Sequence, residues 1–422
     1  MNRKISIMAA SLLIVAAMPQ AEANEPEVIG RPDIQVVDGK LTPEMMEAFG
    51  RVSGPQVSPD RKSVLYSVEF VNLKADKGNR ELWVMDIDGK NQRQITVTPE
   101  SENGAVWIKN GTKIAYMAST DDGMQIFTIN PDGSEKTQIS HIEKGIGGFL
   151  FSPDESKILL IRNIKYGKRV VDEYPALDKA NARIVDDLMY KHWDEWVTEI
   201  PHPFLADVTE NGIENPIDIM EGEPYESPMK PFGGIESFAW APDSKSIVYV
   251  SRKKEGMEYS LSTNSDLYLY NLETKTTTNL TEGMMGYDTN PVFSPKGDKL
   301  AWLSMEHDGY ESDMNRIFVM DMKTGEKTDL TENWDYTVST IAWNPNGKKI
   351  YFIAPYHGPS PIFSVEVGSK KIETIAAQMC DYASLAPVDD KKIIALRHSL
   401  TYPDEIFLVD KDSDTQLTNV NT

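Results

Sequence analysis

Little in this chain could carry redox, metal or nucleophilic chemistry. There is one cysteine, Cys380, so no internal disulfide can form and packing alone must hold the fold. The histidines His141, His192, His202, His307, His357 and His398 are scattered and show no H-E-x-x-H spacing. No G-x-S-x-G string is present to hold a serine on a strained strand-to-helix turn. The nearest string, Gly358-Pro359-Ser360-Pro361, lacks the second glycine and reads as a loop between strands. No glycine-rich phosphate loop joins a strand to a helix, and the Asp-Gly turns lack the closing glutamate of a calcium loop. No catalytic residue, metal site or cofactor is therefore expected. Positive charge is also short, 43 Lys and Arg against 65 Asp and Glu, a formal net charge of -22. Such a surface repels nucleic-acid phosphate and anionic lipid, which argues against both as partners.

What is present begins with an export signal. Asn2-Arg3-Lys4 form a positive start, residues 5–17 an apolar run, and Ala21-Glu22-Ala23 a small-x-small cleavage pattern, so residues 1–23 read as a signal peptide. The run is short for a bilayer span, and no later segment is long and apolar enough for one. A periplasmic or extracellular location follows, with no membrane insertion after cleavage. Residues 24–50 read as an extended arm and a short helix, with Thr42 as N-cap, Pro43 in the first turn and Gly50 as the stop.

From residue 51 one sentence repeats. An alternating strand such as 81–86 (ELWVMD), 125–129 (QIFTI), 266–271 (DLYLYN), 316–321 (RIFVMD), 361–366 (PIFSVE) or 405–410 (EIFLVD) runs into a polar turn. A short echo strand follows, ending in Gln-Ile-Thr, Gln-Ile-Ser or Thr-Asn-Leu-Thr style strings. Before each comes a strand entering a Ser-Pro-Asp-like turn, as at Ser58-Pro59-Asp60, Ser152-Pro153-Asp154, Ala241-Pro242-Asp243 and Asn344-Pro345-Asn346. The count predicts an all-β fold, a seven-bladed propeller of four-stranded blades over residues 51–422. The last blade has a fourth strand of its own at 416–418, so the ring need not borrow one from the N-terminus. The third blade is interrupted by an insertion, 163–203. Ile184, Val185, Leu188 and Met189 stand in it at helical spacing, which predicts a helix there. Long insertions in repeat arrays lie on one face, often the binding face. This one ends in Trp193-Asp194-Glu195-Trp196, whose paired carboxylates and rings would suit a cationic amine. The competing possibility is that the two tryptophans pack the insertion onto its blade while the acids stay solvated.

The Ser-Pro-Asp and Ala-Pro-Asp turns, 188–196 (LMYKHWDEW), 201–207 (PHPFLAD) and the opening 41–60 (LTPEMMEAFGRVSGPQVSPD) together carry a resemblance. The chain resembles the N-terminal propeller of the prolyl oligopeptidase (S9) family of serine peptidases, in its dipeptidyl-peptidase 5 and acylaminoacyl-peptidase branch. TolB-like propellers share the blade turns, whereas the HWDEW segment is more specific. The resemblance implies an α/β-hydrolase domain with a Ser-Asp-His triad after the propeller, in cis or in trans. This sequence ends at Thr422, where that domain is expected to begin, so the chain alone is expected to be inactive. It further implies a propeller that gates access of short peptides, with Asp194 and Glu195 at positions where related enzymes grip a free N-terminus. The alternative is a standalone TolB-like periplasmic propeller acting as an interaction scaffold, with residues 24–41 as a docking segment.

Overall fold

The computed structural model describes residues 28–421, so the segment read as a signal peptide lies outside the described residues. Seven antiparallel sheets follow one another along the chain, at 51–94, 103–138, 148–218, 238–279, 288–329, 340–376 and 381–416. In each the strands pair in sequence order, as Arg51–Val57, Ser63–Asn72, Lys77–Asp86 and Arg93–Gln94 do in blade 1. The first strands of successive blades approach one another around the centre. This is the seven-bladed propeller that the repeats predict. Blade 7 uses its own outer strand, Asp414–Gln416, and its first strand is split into Asp381–Tyr382 and Ala386–Pro387.

Alternation explains why these residues form buried strands. The third residue of each repeated third-strand string is aromatic, and in five blades it faces an aromatic on the second strand, whereas Phe407 of blade 7 faces Ala395. The pairs are Tyr66–Trp83, Tyr116–Phe127, Tyr249–Tyr268, Trp302–Phe318 and Phe352–Phe363, with ring centroids 5.4 to 6.2 Å apart. Each such cross-strand pair adds about 0.5–1.5 kcal/mol beyond burial. The small polar residue closing each echo strand has its own task. Ser140, Thr281 and Thr418 accept from the amides of Ile126, Leu267 and Ile406 at 2.7, 3.0 and 2.8 Å. Each then donates to the side chain before that amide, Gln125, Asp266 or Glu405. Blade 3 has Met220 where the hydroxyl would stand. There His202 Nδ1 turns instead to Asp218 at 2.8 Å, and its Nε2 is buried without a partner among the described residues.

In blade 1 the network holds two buried acids. Glu81 accepts from Asn79 Nδ2 and Thr98 N, and Glu102 accepts from Thr96 and Thr98 hydroxyls at 3.1 and 2.8 Å. Burial, helped by the Glu81 carboxylate, pushes the Glu102 carboxyl up to about 8.

Adjacent blades meet through apolar faces, and three tryptophans tie first strand to first strand. Trp107, Trp240 and Trp343 donate Nε1 to the carbonyls of Gln56, Leu150 and Val292 on the preceding blade. The seam between blades 7 and 1 is packed by Val52, Tyr66, Val388, Leu396 and Leu417. Asn421 latches it: Gly50 N donates to Asn421 Oδ1 at 2.7 Å and Asn421 Nδ2 donates to Gly50 O at 2.9 Å. The short helix predicted before blade 1 is Pro43–Glu47, and Thr42 Oγ1 caps it by accepting from Met45 N at 3.3 Å.

Strand order gives the molecule two unlike faces. Turns from first to second and from third to fourth strand share one face, the turn face. Second-to-third connections and blade-to-blade connections share the opposite one, the loop face, as do the segments before Arg51 and after Gln416. The blade 3 insertion is a second-to-third connection and therefore stands on the loop face.

Candidate functional site

The insertion is shorter and differently built than its sequence suggests. Strands Lys157–Lys165 and Glu199–Thr209 pair without a break from Lys157↔Asp207 to Lys165↔Glu199. One more rung, Tyr166 N to Thr198 O at 2.9 Å, closes the stem, so only residues 167–197 leave the blade. The predicted helix over Ile184–Met189 does not form. Its helix content is one turn, Val170–Glu173, whose Arg169 N is held by Asp172 Oδ2 at 2.8 Å. Ile184 instead joins a two-residue ribbon, Lys168–Arg169 with Arg183–Ile184. Val185 and Leu188 are exposed and only Met189 is buried. A helix this short is marginal unless a neighbour covers its apolar stripe, and here Val185 and Leu188 of that stripe stay exposed.

Trp193-Asp194-Glu195-Trp196 forms the tip of a second ribbon, Lys191–His192 with Glu195–Trp196. Trp193 holds a left-handed φ of 52°, as the first residue of a two-residue hairpin turn must. Its ring is 73% exposed and meets Phe232, 79% exposed, edge-on at 5.0 Å. Trp196 is already provided with cations: Arg183 sits 4.4 Å from its ring and Lys191 4.8 Å. Asp194 and Glu195 are exposed, and neither has an ion-pair partner among the described residues. The structure therefore brings the four residues into one ribbon tip, with the carboxylates open to solvent and Trp196 engaged by its own chain.

Under the tip lies a carboxylate that sequence reading missed. Glu226, 2% exposed, comes from the 219–237 connection between blades 3 and 4. His192 Nε2 donates to its Oε2 at 3.0 Å, and Lys230 N and Tyr259 Oη donate to its Oε1 at 3.0 and 3.3 Å. Burial pushes the Tyr166 phenol up, and the carboxylates of Asp187, Glu226 and Glu255 reinforce the shift. An acidic zone thus sits at the foot of the insertion. Glu226 stands in an acid-rich connection (Glu221, Glu223, Glu226) with no period to mark which acid turns inward.

Two cavities bear on access. One, of about 550 Å³, lies within the insertion and is lined by Tyr166, Arg183, Asp187, Tyr190 and Trp196 among others. The second, of about 560 Å³, runs along the first strands of blades 3 to 6, from Glu236, Asn290 and Thr340 near the loop face to Pro153, Pro242 and Pro295 on the turn face. Among the described residues no group of three or more His, Cys, Asp or Glu could hold a metal ion, and no helix is long and apolar enough to cross a membrane.

The distribution of exposed apolar side chains is one-sided. Among the described residues, only Ile217 of the exposed large hydrophobics sits on an outer strand. The rest, including Trp193, Phe232, Leu261, Tyr310, Met379 and Leu400, stand on the loop face.

Comparison with known proteins places this geometry. Residues 233–422 match the family model described as "TolB beta propeller domain". Dipeptidyl-peptidase 5 of Porphyromonas gingivalis is 48% identical over 411 residues, covering 97% of this chain and 58% of that protein. The chain thus spans about three fifths of that relative's length. Among solved structures, Pyrococcus horikoshii acylaminoacyl peptidase superposes with a TM-score of 0.68 at 17% identity, over 89% of this chain and 53% of that one. The propeller domain of the Trilobed protease from Pyrococcus furiosus, described as having an open velcro topology, gives a TM-score of 0.60 at 16% identity, covering 88% and 97%. At that identity the two structures support the fold alone.

Proposed function

The chain is a β-propeller homologous to those of dipeptidyl-peptidase 5 and other S9 peptidases, and from that premise we propose that it is the substrate-admitting half of a secreted serine peptidase. Bond breaking would belong to an α/β-hydrolase domain seated on the loop face. The observation that carries this reading is the one-sided exposure of apolar side chains. Contiguous exposed apolar surface marks an interaction site, and here a single face holds nearly all of it. The arm before Arg51 and the segment after Gln416 reach that same face, so a domain joined to either end would meet it.

In this arrangement the propeller selects by size. A peptide reaches the covered face only along the central channel or past the insertion, and a folded protein cannot. The ribbon tip then offers Asp194 and Glu195, carboxylates with no ion-pair partner among the described residues, to the free amine of a short peptide. Fixing that amine sets the distance from chain end to scissile bond, which is catalysis by positioning. Export is ascribed to residues 1–23.

The test uses the purified chain alone and joined to the hydrolase domain of a dipeptidyl-peptidase 5. Dipeptidyl chromogenic substrates should be turned over only by the joined form. Turnover by the chain alone would refute the reading, as would a joined form that digests folded proteins as fast as peptides.

A further inference from the structure

Beyond its stem, the insertion makes one hydrogen bond and one ring contact to the neighbouring connection among the described residues. The aromatic contact, Trp193 on Phe232, joins two rings that are both mostly exposed. The polar one is buried: the His192 and Glu226 side chains are 15% and 3% exposed. The Glu226 side chain gathers three segments of chain. It takes His192 from the ribbon, the Lys230 amide from its own connection, and the Tyr259 hydroxyl from helix Gly256–Leu261 of blade 4.

Its backbone is pinned as firmly. Ser227 N donates to Pro201 O at 2.9 Å on blade 3, Ser227 Oγ donates to Val250 O at 2.7 Å on blade 4, and Ser251 Oγ donates to Glu226 O at 2.9 Å. The acceptor is thus fixed in the joint between two blades, while the donor, His192, rides on a ribbon of two residue pairs that cannot be stable by itself.

We infer that Glu226 is a clasp, a positioning residue that fixes the insertion over the loop face by holding His192. It acts through the ribbon, because its carboxylate is buried and both oxygens already hold protein donors. This rests on the reading of the ribbon tip as the substrate-facing element, since that tip is what the clasp places. A hydrogen bond to a charged group is among the stronger single contacts in a protein, and the low-stability segments of a fold open locally. Breaking this one frees the ribbon and leaves the blades unchanged.

Hydrogen exchange on the full chain tests it. His192→Phe keeps a ring and removes the donor, and amides of 187–198 should then exchange about tenfold faster or more, with Ser63–Asn72 and Ser246–Ser251 unchanged. His192→Gln restores a donor and should return most of the protection. Glu226→Ala should match His192→Phe, whereas Glu255→Gln, which touches Tyr225 and not the ribbon, should resemble the wild type. Unchanged exchange in His192→Phe overturns the clasp, and that variant decides the matter even if Glu226→Ala does not fold. In parallel, binding of Ala-Ala-p-nitroanilide to wild type and His192→Phe is compared. A loosened ribbon with unaltered binding would uphold the clasp and remove the ribbon from substrate recognition.

Discussion

Replacing Glu102 by Gln should change how the stability of this propeller depends on pH. Glu102 is fully buried beside Glu81, and its carboxyl is raised from 4.5 to about 8 by burial first and by the Glu81 charge second. The folded state therefore keeps a proton on this group between pH 4.5 and about 8, where the unfolded chain has lost it. The folded state binds more protons in that window, so its stability falls as pH rises through it and levels off above. A displacement of this size corresponds to on the order of 5 kcal/mol across the window, at about 1.4 kcal/mol per pH unit. Glutamine has the shape of the protonated acid, can donate to Glu81, and never ionises. Glu102→Gln should match the wild type or fall slightly below it at pH 5 and exceed it at pH 9. At about 1–2 °C per kcal/mol for a chain of this size, the gap in Tm should widen by roughly 5 °C between those pH values. Thermal melts followed by circular dichroism at pH 5, 7 and 9 measure it. Parallel curves for the two proteins would mean that Glu102 ionises normally in the fold, and the description of this pair would be wrong.

Three further outcomes are expected. Gly212→Ala places a Cβ 2.5 Å from the Ile139 carbonyl at a φ of +117°, so it should cost about 2 kcal/mol or more and lower Tm by several degrees. Asn421→Ala removes both hydrogen bonds to buried Gly50, which should cost about 1–2 kcal/mol and speed amide exchange in Arg51–Val57 before that in other blades. In a chain joined to a hydrolase domain, Asp194→Ala with Glu195→Ala should raise KM for free-amine peptides about tenfold and leave N-blocked substrates unaffected; equal kinetics on both would take these acids out of recognition.

Most of the propeller was legible because each blade states its own rule locally. Ser58, Ser152 and Ser294 mark turns that their own side chains build, as when Ser152 Oγ and Ser156 N both bond Asp154 Oδ1. The blade 7 outer strand was expected at 416–418 and lies at Asp414–Gln416, a two-residue slip that the same Gln-Leu-Thr string explains, since Thr418 is the cap beyond the strand. The insertion was misread for a physical reason. Helical spacing of Ile184, Val185, Leu188 and Met189 signals a helix only when a surface waits to bury that stripe, and whether one does is not written locally. Glu226 is not legible in the sequence on the same ground: its partners lie 34, 4 and 33 positions away, on loops that the packing of blade 3 beside blade 4 brings together. The aromatics Trp83, Phe127, Tyr268, Phe318 and Phe363 are in plain view in the sequence, and only their stacking partners need the register.

The latch of Asn421 on Gly50 has a mechanical corollary. The first blade begins and the last blade ends side by side, so a force applied to the two termini acts directly across their shared boundary. Tension there unzips hydrogen bonds one at a time, beginning with the amide pair at Gly50 and moving to the outer strand Asp414–Gln416. Stretched in an optical trap, this ring should yield first at one weak, early step confined to blade 7, with the remaining sheets still stacked.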